Sequence, residues 1–175
     1  SEATTQRSAI SLGERHNRER IVERFSAWLG GVEVPGLLRA LDPALARLPL
    51  LIRGIPGSGR ALLCRYVELF RGAAGPVLRM HGGELSEIDE LVRRLDRLAT
   101  SGEGRFRSVW IDEVDRLSPS TQRALSEWIT HDAPPSGAAG AGLRWLATAG
   151  VAGLHDRLEP SLANAFAPLE FEVPS

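Results

Sequence analysis

The stretch LLIRGIPGSGRALLCRYVELF, from Leu50 to Phe70, decides the fold of this chain. It begins with an apolar run, passes through a turn that contains Gly54, Gly57 and Gly59, and ends in residues with helical spacing of apolar side chains. A glycine-rich turn between a buried strand and a helix lets successive backbone N–H groups converge on an anion, and the helix amino terminus adds partial positive charge. The stretch therefore predicts a loop shaped to hold phosphate groups.

The loop departs from the pattern G-x-x-x-x-G-K-[ST] at two positions. Arg60 stands where lysine would reach the outer phosphates, and Ala61 stands where a hydroxyl would bind Mg²⁺. All 21 basic residues are Arg, so a codon bias would explain Arg60, but it would not explain Ala61. We predict weak ATP or ADP binding. The loop offers little to hold Mg²⁺, because Ala61 cannot bind a metal. Two alternatives stay open: a glycine turn that only joins the strand to the helix, and a loop that keeps its shape but has no useful affinity for nucleotide. The predicted nucleotide-binding residues are Gly54, Ile55, Pro56, Gly57, Ser58, Gly59, Arg60 and Ala61.

A pair of carboxylates follows a second apolar run further along the chain. Residues 109–111 read as a buried strand that brings Asp112 and Glu113 to its carboxyl end, where parallel sheets bind ligands. Beside a phosphate loop, one such acid holds Mg²⁺ and the next polarises the attacking water. We therefore predict Asp112 and Glu113 as the catalytic candidates, with a strand that runs into an acidic turn as the alternative. Asp115 is predicted to be a solvated turn or cap residue.

Strands alternate with helices along the rest of the chain, which predicts a parallel sheet covered on both faces. Residues 1–9 read as a loose polar lead-in, and residues 10–175 read as one domain. Ser118 is a plausible N-cap with Pro119 at the first helical position. Predicted strands cover 50–53, 77–80, 107–112, 143–148 and 168–173; predicted helices begin near Asn17, cover 61–70, place an apolar stripe on 85–98 and follow Ser118, with a short helix or irregular turn in 37–48.

Composition excludes several classes of protein. The net charge is −1, which gives no overall basic field for nucleic acid, and no apolar run is long enough to span a membrane. The chain has no signal-peptide pattern in its first twenty residues, so a cytoplasmic location is expected. Cys64 is predicted to be a small buried residue. The four His residues are scattered, so the sequence predicts no metal site.

These segments resemble the AAA+ ATPase domain of bacterial enhancer-binding proteins, the activators of sigma-54 RNA polymerase. The resemblance covers about residues 10–174 and implies a three-layer αβα P-loop NTPase fold with a five-stranded, mainly parallel sheet. Its Walker B segment is the most specific part. The similar segments are SLGERHNRERIVERF, LLIRGIPGSGRALLCRYV for Walker A, VWIDEVDRLSPSTQRALSEWI for Walker B, LRWLATAG for the sensor strand and LHDRLEPSLANAFAPLEFEVP for the arginine-finger stretch.

The departures from that family are equally informative. The GAFTGA loop that contacts the sigma factor is missing from the interval between the second strand and Walker B. The polar sensor positions fall on Ala149 and Gly150, with Thr148 one position away as the alternative. The arginine-finger positions fall near Glu159 and Ala165, with Arg157 out of register. The resemblance places the start of the helical lid where the sequence ends, so we expect no lid within these 175 residues.

Three functions follow from these patterns. The first is a degenerate AAA+ module for regulation or assembly in signalling or transcription control, with protein partners or self-association and little or no ATP hydrolysis. The second is an ATPase that uses Arg60 in place of lysine. The third is a nucleic-acid binder, suggested by five arginines, although interleaved acids also fit a solvated helix face. The arginines are Arg93, Arg94, Arg97, Arg105 and Arg107.

Overall fold

The computed structural model describes residues 19–20, 23–24, 36–70, 77–100, 108–135 and 142–174. Within these ranges, five strands form one sheet and five α-helices pack around it. The strands are β1 (Leu50–Arg53), β2 (Val77–His81), β3 (Ser108–Asp112), β4 (Arg144–Ala149) and β5 (Glu170–Glu172). The helices are α1 (Leu37–Ala40), α2 (Arg60–Phe70), α3 (Ile88–Thr100), α4 (Pro119–His131) and α5 (Pro160–Phe166), with 3₁₀ turns at Pro43–Leu45, Gly82–Glu84, Val114–Arg116 and Ala167–Leu169.

The sheet is entirely parallel, in the order β2-β3-β4-β1-β5. Its register places Arg53 at the end of β1 opposite Ala149 at the end of β4, and His81 at the end of β2 opposite Asp112 at the end of β3. The carboxyl ends of β1 to β4 therefore meet at one edge. The glycine loop follows β1 and the acids follow β3, so both predicted segments lie at that edge.

Each face of the sheet has its own apolar core. On one face, side chains of α3, α4 and α5 pack against Leu51, Val109 and Ile111. On the other face, α1 and α2 pack against Leu50 and Ile52. Because neighbouring strand residues point to opposite faces, a strand buried on both sides reads as a continuous apolar run. This arrangement confirms the predicted three-layer αβα architecture.

The helices agree with the sequence patterns with some differences at their ends. Ser118 caps α4 by accepting a hydrogen bond from the Thr121 backbone N–H, and Pro119 occupies the first turn. The apolar stripe predicted from Leu85 becomes a helix only at Ile88, because Leu85 follows the turn Gly82–Glu84 and has extended backbone angles.

Helix α5 was not predicted, although Pro160 at its start and the Leu162–Phe166 spacing are typical of a short helix. Of the helix predicted from Asn17, only residues 19–20 and 23–24 are described, and these are helical and exposed. The predicted lead-in, residues 1–9, lies outside the described residues. Cys64 is fully buried, as predicted.

A bilayer-crossing helix is not found among the described residues, since none is both long enough and apolar enough.

Candidate functional site

The glycine loop after β1 has the backbone geometry of an anion-binding nest. Gly57 and Gly59 both have positive φ angles, 81° and 88°, which glycine adopts without strain. The Ser58 N–H donates to the Ile55 carbonyl at 3.1 Å, which closes a turn before α2 begins at Arg60. Ile55, Pro56 and Gly57 are exposed to solvent. The two left-handed glycines are therefore consistent with the backbone of a phosphate-binding loop.

The Arg60 side chain points into the protein and binds three acceptors there. Its Nη1 donates to the Gly54 carbonyl at 2.6 Å and to the Ala149 carbonyl at 2.8 Å. Its Nη2 donates to Glu113 Oε1 at 3.1 Å. Only 8% of the residue is exposed. The cation at the lysine position thus binds groups of the protein and does not extend toward the space above the loop.

The hydroxyl that would bind Mg²⁺ is absent from the loop position where it is needed. Ala61, in the first turn of α2, packs its methyl group against the apolar core on that face of the sheet. The hydroxyl oxygen of Ser58 is buried without a hydrogen-bond partner among the described residues, and it lies against Gly54, where an added Cβ would come within 2.5 Å of it. The described residues also contain no group of three or more His, Cys, Asp or Glu placed to hold a metal ion. The left-handed glycines are typical of a phosphate loop, but these side chains do not fit Mg²⁺.

Asp112, at the end of β3, is held by neighbouring side chains, among them Arg79 and Trp110. Arg79 Nε and Nη2 both lie 2.8 Å from Asp112 Oδ2, and the Trp110 indole N–H donates to Oδ1 at 3.0 Å. The Arg79 guanidinium also stacks on the Trp110 ring, with its Cζ 4.1 Å from the ring centroid. The carboxylate that would hold a metal in an active enzyme is therefore paired with a cation of the same chain.

Glu113 lies among two arginines and a histidine. Besides Arg60, its carboxylate contacts His81 Nε2 and lies 3.5 Å from Arg116 Nη1. Burial alone would raise the pKa of this carboxyl, but the hydrogen bond and charge of His81, the charge of Arg60 and the hydrogen bond of Arg116 hold the pKa below its usual value. Glu113 itself has left-handed backbone angles, with φ 51° and ψ 54°. Its carboxylate is thus ionised and already paired.

Thr148 links both acids to β4. The Glu113 backbone N–H donates to Thr148 Oγ1 at 2.9 Å, and the same hydroxyl donates to Asp112 Oδ1 at 3.3 Å. Thr148 is almost fully buried, at 1% exposure. Of the candidates for the sensor position, Thr148 is the one whose side chain reaches the acids. Gly150 contributes its backbone N–H, which donates to Asp115 Oδ2 at 3.0 Å. Asp115 therefore lies in a turn, as predicted, but it is half-buried and bonded rather than solvated.

The segment between β4 and α5 is anchored away from the acids. The Arg157 carbonyl accepts a hydrogen bond from Gln122 Nε2 at 3.0 Å, and the Glu159 N–H donates to Gln122 Oε1 at 2.7 Å. The Arg157 side chain is exposed to solvent. Arg53 binds Asp156 at 3.1 Å and Glu170 at 2.5 Å, which ties the segment to β1 and β5.

The sequence-based interpretation missed three residues that surround the acids. Arg79 and His81 interrupt the apolar run of β2 at alternate positions, and Arg116 lies three residues after Glu113. Polar residues at the end of one strand face those at the end of its parallel neighbour, so this spacing was the available signal.

The arginine cluster on α3 is partly paired within its own helix. Arg94 Nη2 lies 3.8 Å from Glu90 Oε1, whereas Arg93 is exposed. Arg105 and Arg107, which would extend the cluster, lie outside the described residues. The contact between Arg94 and Glu90 is that of a solvated, charge-interleaved helix face.

Comparison with known proteins identifies the fold. No protein-family model and no curated protein matches the sequence. Among solved structures, a variant of RuvB from Thermotoga maritima is 20% identical with a TM-score of 0.57, over 79% of this chain and 44% of that one. A RuvB structure described as a Holliday junction branch migration motor is 18% identical with a TM-score of 0.51, over 91% and 44%. NtrX from Brucella abortus is 15% identical with a TM-score of 0.57, over 81% and 36%.

The chain thus spans less than half the length of these proteins. At such identities the likeness concerns the fold alone, and that fold is the α/β P-loop NTPase fold.

Proposed function

We propose that this chain is a degenerate AAA+ domain that acts through protein contacts, as a regulatory or assembly module in signalling or transcription control. The observation that supports this proposal is that the charged side chains of the site form ion pairs with one another. Arg60 and Glu113 form one pair, and Arg79 and Asp112 form another. The charged side chains that would bind phosphate, metal or water in an active enzyme are thus paired with a neighbouring side chain.

Hydrolysis of ATP in this fold depends on positioning and on neutralising charge around the transferred phosphate. Here Ala61 offers no metal ligand, Arg60 donates to backbone carbonyls, and the Glu113 carboxylate accepts from cations. The arginine-finger positions fall near Glu159 and Ala165, neither of which carries a positive charge, and Arg157 is out of register. Because one arginine finger alone is worth about 10³- to 10⁵-fold in rate, we expect turnover close to the uncatalysed background.

Nucleotide binding depends less on these side chains. The loop backbone with its two left-handed glycines still has the geometry of a phosphate nest. We therefore propose weak ATP or ADP binding that does not require Mg²⁺. The alternative, an ATPase that uses Arg60 as its phosphate-binding cation, would require this guanidinium to leave Gly54, Ala149 and Glu113 together.

The sigma-54-activator character of the module rests on its Walker B and arginine-finger segments. The GAFTGA motif is missing from the interval between His81 and Ser108. The proposed protein contacts therefore involve surfaces other than that loop. The proposed partners are further copies of this chain or components of signalling or transcription control.

An ATPase assay with nucleotide titration tests the proposal. We expect no Mg²⁺-dependent phosphate release from the wild type and no difference between the wild type and Glu113→Gln. The paired substitution Arg60→Lys with Ala61→Thr restores the standard loop chemistry, and we expect it to tighten Mg·ADP binding in calorimetry. Turnover in the wild type that Glu113→Gln abolishes would overturn the proposal and support the alternative.

A further inference from the structure

We propose that Arg60 is an internal tie that holds the ends of β1, β3 and β4 in one conformation without nucleotide. Its two terminal nitrogens reach three segments: the Gly54 carbonyl after β1, the Ala149 carbonyl at the end of β4, and the Glu113 carboxylate after β3. In chain order these groups are separated by up to 89 residues from Arg60. One side chain therefore joins the three segments that surround the phosphate loop.

The chemistry of arginine suits this position better than that of lysine. Nη1 binds both carbonyls and Nη2 binds the carboxylate, so the planar fork serves two kinds of acceptor with separate nitrogens. Gly54 is buried, and without Arg60 its carbonyl would lack a donor among the described residues, which is costly. Hydrogen bonds from a charged donor are about twice as strong as neutral ones. Arg60 thus has a structural reason to be arginine, beyond the absence of lysine from the chain.

Backbone amides beside the tie provide a direct measure of its effect. The Gly54 N–H donates to the Ala149 carbonyl at 3.1 Å, the same oxygen that Arg60 binds. The Glu113 N–H donates to Thr148 Oγ1, and the Gly150 N–H donates to Asp115 Oδ2. If Arg60 holds the strand ends together, these three amides open less often than they would without it.

The test is amide hydrogen exchange followed residue by residue in the wild type, Arg60→Ala and the control Arg65→Ala. Arg65 lies on the same helix and is exposed. We expect exchange at Gly54, Glu113 and Gly150 to accelerate by about tenfold or more in Arg60→Ala, while the amides of Val109 and Ile111 in the middle of β3 keep their protection. Arg65→Ala should match the wild type. Unchanged exchange at the three amides in Arg60→Ala would overturn the inference.

A second variant covers the case in which Arg60→Ala loses protection throughout the chain. Arg60→Lys keeps the charge but has only one nitrogen, so we expect a smaller acceleration that is confined to the same three amides. Wild-type exchange rates in Arg60→Lys would then overturn the tie.

The inference rests on the proposed function in assuming that nucleotide does not displace Arg60, yet the two can fail separately. A wild type that hydrolyses ATP and still shows local acceleration in nucleotide-free Arg60→Ala would refute the proposed function and keep the tie. A wild type without hydrolysis whose exchange is insensitive to Arg60 would do the reverse.

Discussion

Arg60 and Glu113 are 53 residues apart in sequence, and their side chains form an ion pair with 3.1 Å between Nη2 and Oε1. The pair joins the start of α2 to the residue that follows β3. In an active P-loop enzyme the corresponding cation and carboxylate act on phosphate and on water. Here each neutralises the other, and the predictions below follow from this pairing and from the contacts around it.

Removal of Arg60 should destabilise the fold. Arg60→Ala leaves the Gly54 carbonyl without its donor and leaves Glu113 with fewer cations, so we expect a loss of about 3 kcal/mol in the free energy of unfolding. Urea denaturation followed by circular dichroism measures it. Arg65→Ala, on the exposed side of α2, should change the value by less than about 0.5 kcal/mol. Equal stabilities of the two variants would contradict the assigned role of the Arg60 contacts.

The pH dependence of stability should contain a contribution from Glu113. Its folded pKa is lower than its unfolded value of 4.5, so the folded state is stabilised by the ionised form. This contribution is complete above the unfolded pKa and is lost as the pH falls from there through the folded pKa. Unfolding free energies measured from about pH 7 to about pH 3 should therefore fall less steeply at the acid end in Glu113→Gln than in the wild type. Parallel curves would show that Glu113 does not contribute.

The hydroxyl of Thr148 should matter more than its methyl group. Thr148→Val keeps the shape but leaves the Glu113 N–H without an acceptor, which costs about 1–3 kcal/mol. Thr148→Ser keeps the oxygen and loses one methyl group, worth about 0.8 kcal/mol. We expect valine to be the more destabilising substitution in thermal and urea unfolding. The opposite order would mean that packing, and not the hydrogen bond, keeps Thr148 in place.

Gly82 should tolerate no side chain, because the backbone of Glu113 is too close. A Cβ at Gly82 would lie 2.2 Å from the Glu113 carbonyl oxygen, which is a fixed backbone atom. At the neighbouring Gly83 the nearest atom is His81 Nδ1 at 3.1 Å, and that side chain can move. We expect Gly82→Ala to cost about 2–3 kcal/mol and Gly83→Ala under about 1 kcal/mol. Comparable losses of stability in the two variants would show that the clash with the Glu113 backbone does not set the cost at Gly82.

Arg53 should control access to the segment after β4. It binds the Gly150 carbonyl at 3.3 Å and Asp156 at 3.1 Å, and the Leu154 side chain between them is fully exposed. Arg53→Met removes both contacts, so we expect chymotrypsin to cut after Leu154 about tenfold faster than in the wild type. Arg93→Met, an exposed substitution on α3, serves as the control. Cleavage at the wild-type rate in Arg53→Met would show that the segment is held by other contacts.

The sheet could be predicted from the sequence because its strands are buried on both faces. The apolar runs at 50–53 and 109–111 stop at glycine or charged residues, so both their type and their ends are visible. The meeting of the glycine loop and the acids at one edge then follows from parallel strand order. Helix α5 was harder to predict, because its 7 residues give too few turns for a clear period.

The partners of Arg60 could not be predicted, because they depend on the direction of one long side chain. A guanidinium at this position can extend toward solvent or fold back onto the carbonyls of Gly54 and Ala149. Because every basic residue of the chain is Arg, the sequence alone showed no specific preference for arginine at this position. Arg79 and His81 were missed for a related reason, since two polar residues in a short strand show only as interruptions of an apolar pattern.

Two tryptophans meet on the sheet face that lies away from α2. The rings of Trp128 on α4 and Trp145 on β4 are 5.0 Å apart between centroids and inclined by 76°. Two indoles this close couple their electronic transitions, so the near-ultraviolet circular dichroism of the folded protein should carry a signature of this pair. Trp110 belongs instead to the acid edge, through Asp112 and Arg79. The chain thus contains a native chromophore on each side of its sheet, and loosening of either layer can be followed optically without an added label.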